Sequence, residues 1–283
     1  MMRHDASRRN DLVLDLIVKS YIETAEPVGS RAISRHSDLG LSSASIRNVM
    51  ADLEEAGYLK QPHTSAGRVP TDRGYRYWVD SLMEPEELEA EDRQHIQHEL
   101  GKARTIENLA EKICKTFSEL TDNAVVVYIK NLKRVSFLNY VLEELVEAKK
   151  LVDFFEEEPE LFIDGTSHVL EQPEFQDIAK MRMLLQAFDK KTDFLQAISN
   201  WLEDPGQPYS PEDGRMSQVR VRIGHENDWH DLDGFSLVTK ESYLRNNPIG
   251  GVVVVGPTRM RYPEVVAMVD YAAEILSETV ERF

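Results

Sequence analysis

The segment SSASIRNVMADLEEAGYLKQPHTSAGRVPT, residues 42–71, constrains the fold more tightly than any other part of the chain. It opens as a helix that Ser42 or Ser43 can cap. At 100° per residue, Ile46, Val49, Met50, Leu53 and Ala56 fall on one side, while Ala44, Arg47, Asn48, Ala51 and Glu55 fall on the other. Small alanines beside Arg and Asn suit close approach to base edges, where Arg grips guanine and Asn grips adenine with two hydrogen bonds each. Asp52, Glu54 and Glu55 crowd the C-terminal half and would repel phosphate, so only the N-terminal half is expected to enter a groove.

The flanks extend this pattern. Leu12, Val13, Leu16, Ile17 and Tyr21 recur at helical spacing until Pro27 stops them. A short helix over 30–36 takes Ser30 as its N-cap and turns Ala32 and Ile33 inward, with Arg31 and Arg35 on one outer face. SDLG supplies a tight turn before the third helix. After it, 58–61 reads as a strand, 64–67 as a hairpin tip and 68–69 as the return strand, closed by Pro70. Thr71 then caps a fourth helix that buries Tyr75, Trp78, Val79 and Leu82. This order predicts a winged helix-turn-helix over residues 1–82. Ala44, Arg47 and Asn48 are expected to read bases; Arg31, Arg35, Ser43, Lys60, His63, Thr64, Ser65 and Arg68 are expected to position the phosphates.

The charge distribution permits a polyanionic partner despite a net charge of −17. Residues 1–80 hold 11 Lys and Arg against 11 Asp and Glu, so the remaining 22 against 39 carry the whole excess. A single cysteine excludes a disulfide framework and a cysteine-rich zinc module. The N-terminus lacks the apolar stretch of a signal peptide, and runs such as VVVV are too short to span a bilayer. A cytoplasmic, soluble chain with no membrane partner is expected.

Beyond the reader, 85–120 reads as one long helix, a connector over residues 83–122. Ile96, Ala110, Ile113 and Phe117 follow an approximate three–four spacing that suits either a dimer seam or a stripe packed on the helix's own domain. Strands are expected at 124–129, 135–138, 219–223, 235–239 and 251–255, with a helix from 139, a turn at 164–167, a helical pattern over 178–195 and a loop over 204–214. The last helix starts after Pro263. The prediction is an α+β chain whose C-terminal part, 123–283, is a mixed sheet with flanking helices.

No catalytic constellation emerges, and no cofactor or metal is expected. Cys114 sits on an apolar helical side without a base, which favours packing over nucleophilic chemistry. His225 and His230 flank Glu226 and Asp228 at a spacing that fits no standard metal site. His95 and His98 lack a convergent carboxylate, and the GTS at Gly165 lacks the Lys and second Gly of a phosphate loop.

The segments ETAEPVGSRAIS, LGLSSASIRNVMADLEEAGYL and QPHTSAGRVPTDRGYRYWVDSL closely resemble the HrcA family of bacterial heat-inducible transcription repressors. FIDGTSHVLEQPEF, VRIGHEN and GGVVVVGPTRMRYPEVVAMVDYAAEIL continue the resemblance. It implies a homodimeric repressor on the inverted-repeat CIRCE operator of chaperone genes, kept active by the GroEL chaperonin, with a GAF-like C-terminal domain. Compared with the family, the chain passes from LKRVSFL straight to NYVLEELVEAKKLVDFFEEE, so several tens of residues of the effector insert are missing. Two other readings stay open: a ligand-sensing regulator of non-heat-shock genes, and an enzyme with an appended reader.

Overall fold

Helical spacing, capping side chains and valine-rich runs produce the elements in the computed structural model, which describes residues 2–36, 40–130, 159–203, 219–227, 232, 234–244 and 247–280. α1 (Met2–Thr24) buries Val13, Leu14, Ile17 and Val18, and runs further at both ends than its apolar stripe. α2 (Ser30–His36) and α3 (Ser43–Glu55) follow, then the two-stranded antiparallel hairpin β1 (Leu59–Lys60) and β2 (Val69–Pro70), and α4 (Asp72–Ser81). Ser30 is the first residue of α2 rather than its cap.

The predicted single helix over 85–120 is two helices, α5 (Ala90–Leu100) and α6 (Ile106–Thr121). Gly101 ends the first, and the Thr105 hydroxyl caps the second by accepting from Asn108 N at 3.2 Å. The break turns the apolar stripe inward: Ile96, Ala110 and Ile113 are 0 % exposed and Phe117 is 1 % exposed within the single chain. This corrects the dimer-seam expectation. A three–four spacing serves a core-facing stripe as well as a seam, and here the chain's own core covers it.

That sheet has the order β4 (Glu160–Asp164), β3 (Ala124–Ile129), β7 (Asn247–Pro257), β6 (Phe235–Leu244) and β5 (Arg220–Ile223). Among the described residues every pairing in it is antiparallel, which corrects the expected mixed sheet. β6 and β7 pair as a hairpin, a connection that admits only the antiparallel sense. Alternation along the central strands serves two cores. Val125, Val127, Val252 and Val254 face the cluster that includes α6 and α10 (Tyr262–Val280), whereas Ala124, Val126, Val253 and Val255 face the other. The second is closed by Phe175, Leu184, Phe194 and Trp201 from the region of α7 (Thr166–Glu171), α8 (Ile178–Asp189) and α9 (Lys191–Glu203). The pattern predicted over 178–195 is thus split at Lys190.

The edge strand β4 has no counterpart in the sequence reading, because its five residues are only partly buried and carry little period-two signal. The strand expected at 135–138, the helix from 139 and the loop over 204–214 lie outside the described residues. Among the described residues, no helix is long and apolar enough to cross a membrane. The cluster containing α6 and α10 also takes in Val13, Ile46, Trp78 and Leu276, so the helical N-terminal unit shares one continuous core with the sheet.

Two outcomes follow from this packing. Phe117→Ala is expected to cost about 3–5 kcal/mol, read by urea unfolding. Cys114 donates its Sγ–H to Phe162 O at 3.3 Å, and burial pushes its thiol up from 9.0 to about 12. The folded chain therefore holds that proton more tightly than the unfolded one, and the group's contribution to stability is lost as pH rises from about 9 towards 12. Iodoacetamide at neutral pH should leave the native thiol unmodified and alkylate it fully in urea.

Candidate nucleic-acid interface

The exposed face of α3 is set by its buried one. Ile46, Met50 and Leu53 anchor the helix in the core. Their helical complement, Ala44, Arg47 and Asn48, is left exposed on adjoining turns. Ser42 caps the helix, accepting from Ser45 N at 3.1 Å. Ser43, half-buried, is hydrogen-bonded through its hydroxyl to Ser30 at 3.0 Å, so it ties α3 to α2. Arg31 and Arg35 are exposed on α2, Lys60 is exposed on β1, and His63, Thr64 and Ser65 are exposed at the hairpin tip. Among the described residues, the side chains of Arg31, Arg47 and Lys60 make no ion pair.

Arg68 differs from the others. Its guanidinium is held by Glu54 of α3, with Nε and Nη2 at 2.9 and 2.8 Å from one carboxylate oxygen. It thus braces the hairpin against α3 and is only half-exposed. Sequence reading placed Glu54 among phosphate-repelling acids and missed this pairing; a basic residue 14 positions away on a return strand gives no local signal. Two further supports were also missed. The Gln61 amide donates to Thr64 O and Ala66 O, both at 3.0 Å, and so fixes the hairpin tip. Residue 28 bridges the hairpin through reciprocal bonds of 2.9 Å with Arg68. A Cβ on Gly67 would lie 2.3 Å from Val28 O, which explains a glycine at that point of closest approach.

α4 follows the hairpin without a linker. The Thr71 hydroxyl donates to Gly57 O at 2.7 Å and accepts from Gly74 N at 3.0 Å. Arg73 lies over the Tyr58 ring at 5.1 Å, and Tyr58 packs on Tyr77 at 5.0 Å. Three helices, a braced hairpin and a fourth helix are therefore joined into one unit. It presents an Arg and an Asn beside a polar loop.

A family model for the HrcA protein C-terminal domain matches residues 82–266. The chain belongs to the HrcA family. It is 32% identical to the heat-inducible transcription repressor HrcA of Geobacter sulfurreducens, covering 98% of this chain and 99% of that one. It is also 32% identical to the repressor of the same name from Chlorobium phaeobacteroides, over 99% and 100% of the two chains. The first alignment spans 350 positions against 283 residues, so at least 350 − 283 = 67 positions face gaps in this chain. A crystal structure described as that of a hypothetical protein shares the fold, with a TM-score of 0.67, 22% identity and coverage of 95% and 97%.

In this HrcA family member, two of the remaining candidate groups take structural roles. Gly165 has φ 79° and caps α7, and its N–H donates to Asp164 Oδ1 at 2.6 Å, so GTS is a capped turn. His95 and His98 lie exposed on α5. His225 and Glu226 form a short turn that meets α4, while Asp228 and His230 lie outside the described residues. Replacing the α3 cap, Ser42→Ala, is expected to cost about 1 kcal/mol, read as a fall in thermal midpoint.

Proposed function

We propose that this chain is a sequence-specific transcription repressor of heat-shock genes, acting as a homodimer on an inverted-repeat operator of the CIRCE type. The observation that carries this reading is the exposed trio Ala44, Arg47 and Asn48 beside the braced hairpin, in a chain of a family whose named relatives are heat-inducible repressors. Residues 1–82 act as a winged helix-turn-helix, with α3 in the major groove and the hairpin as the wing. Residues 83–122 connect it to a GAF-like effector domain over 123–283.

Each group has a physical role. Arg47 and Asn48 present bidentate donors and acceptors to base edges. Arg31, Arg35 and Lys60 neutralise phosphates, and the polar tip His63, Thr64 and Ser65 follows the backbone. The family resemblance adds a GroEL-type chaperonin as the partner that keeps the repressor active. The two-fold contact falls on surfaces other than Ile96, Ala110, Ile113 and Phe117, which the core occupies.

Binding measured by fluorescence anisotropy tests the reading. The chain should bind an inverted-repeat duplex far more tightly than a scrambled one at the same salt concentration; equal affinity for both would end the sequence-specific proposal. Asn48→Ala is expected to cost about 1–3 kcal/mol and to relax preference at one position per half-site.

Glu54→Gln should act differently, because it releases Arg68 from its ion pair. Affinity for every duplex should rise by a similar factor, and the dependence of log K on log salt should steepen by up to about one unit. A change in preferred sequence instead would mean that the hairpin reads bases in the minor groove.

A further inference from the structure

The reading unit is fastened to the sheet at more than one point, and the fastening uses charged groups that DNA recognition leaves unexplained. On one face of α4, Tyr75 and Trp78 pack their rings 6.0 and 6.5 Å from the ring of Tyr262 on α10. On the neighbouring face, Asp72 and Arg76 reach the turn Gly224–Glu226 that follows β5. Arg76 grips both carboxylate oxygens of Glu226, Nε to Oε1 at 2.8 Å and Nη2 to Oε2 at 2.5 Å. The same Nη2 donates to Val221 O at 2.5 Å, and Nη1 pairs with Asp80 at 3.0 Å. Glu226 is in turn oriented by Ile223 N at 2.9 Å.

Beside this grip, Asp72 accepts from His225 N at 3.0 Å. Gly224 has φ 53°, and a Cβ there would lie 2.1 Å from the Asp72 carboxylate, so a side chain at 224 would displace this contact. At the far end of the unit, Arg259 donates to Ile22 O at the end of α1 at 3.3 Å and pairs with Glu174. These contacts are spread along the unit, so it has no free swivel.

α4 is also fixed to the end of α3 by Thr71, which donates to Gly57 O, and the hairpin to α3 through Arg68 and Glu54. The pose of α4 on the sheet therefore dictates the pose of α3. We propose that Arg76 is a positioning residue: by clamping α4 to β5 and Glu226 it presets the angle of the reading unit, and in a two-fold dimer the separation of the two recognition helices. Arg76 thereby sets which half-site spacing the repressor accepts. This rests on the dimeric, operator-binding reading above, because two half-sites at a fixed separation are what a rigid two-fold protein demands.

The test has a DNA arm and a DNA-free arm. Arg76→Leu leaves Glu226 unpaired and risks misfolding, so Arg76→Leu/Glu226→Leu, which removes both charges, is the companion variant. Spin labels on Ser65→Cys and Glu278→Cys, diluted into unlabelled chain, read the distance between hairpin and α10 within one molecule; the buried Cys114 does not compete for label. A narrow distribution is expected with Arg76 present and a broad one in both variants. Arg76→Lys, whose ammonium cannot span both oxygens and Val221 O, should fall between them.

In the DNA arm, an inverted repeat selected by the unmutated chain is compared with repeats whose spacer is changed by one base pair, and with a single half-site. The unmutated chain should lose about tenfold or more on the altered spacers, the variants about threefold or less. Half-site affinity should stay within about twofold for all of them. Unchanged distance distributions, or an unchanged spacing dependence in variants that keep half-site affinity, would overturn the proposal. If the unmutated chain prefers no duplex at all, the operator reading fails, and the distance distributions still decide whether Arg76 holds the unit.

Discussion

The hydroxyl of Thr71 is the point on which the proposed reading surface depends. It donates to Gly57 O, just past the end of α3, while accepting from Gly74 N in the first turn of α4. One side chain thus closes α3, the hairpin and α4 into a single piece. It does so with groups that would otherwise be orphaned, a carbonyl beyond one helix and an amide at the start of another. A loop between the hairpin and α4 would have let the two drift. With none, the burial of Tyr75 and Trp78 against Tyr262 is transmitted directly to the exposed face of α3.

Legibility in the sequence tracks locality. α3, its Ser42 cap, the hairpin and the Thr71 cap lie within a few tens of residues of one another, and each rests on short-range chemistry that periodicity and turn composition expose. The exposed trio on α3 could be placed because helical geometry ties it to the buried Ile46, Met50 and Leu53. The stripe Ile96–Phe117 could not, since the same period describes a helix seated on its own sheet and one seated on a second copy. Nor could the sheet's sense of pairing, which depends on how β3 finds β7 across more than a hundred residues. Arg76 and Glu226 are 150 positions apart, and nothing local in either marks the other.

The sheet also bears on the chain's reduced length relative to its relatives. β3 and β7 bury residues on both faces, with alternate valines serving separate clusters. Such a sheet is complete only when both faces are covered. α6 and α10 cover one, and the α7–α9 region covers the other, so the core is closed in spite of the alignment gaps. The absent positions are therefore not needed to bury these strands. Whatever the longer relatives do with them is added to a body that already holds together.

Charge gives the rigid joint a second consequence. Residues 1–80 are neutral overall, and the whole net charge of −17 lies beyond them. A body that acidic repels a duplex, and the repulsion fades only over a distance of about 8–10 Å at physiological salt. A reader on a loose tether would sample poses in which acidic surface approaches the phosphates, and each would weaken binding. The clamp proposed for Arg76, with Asp72 and Tyr262 beside it, would exclude them. The clamp itself takes up three carboxylates: Arg76 pairs with Asp80 and Glu226, and the His225 backbone N–H donates to Asp72. Arg76 thereby offsets part of the negative charge that Asp80 and Glu226 place at the seam.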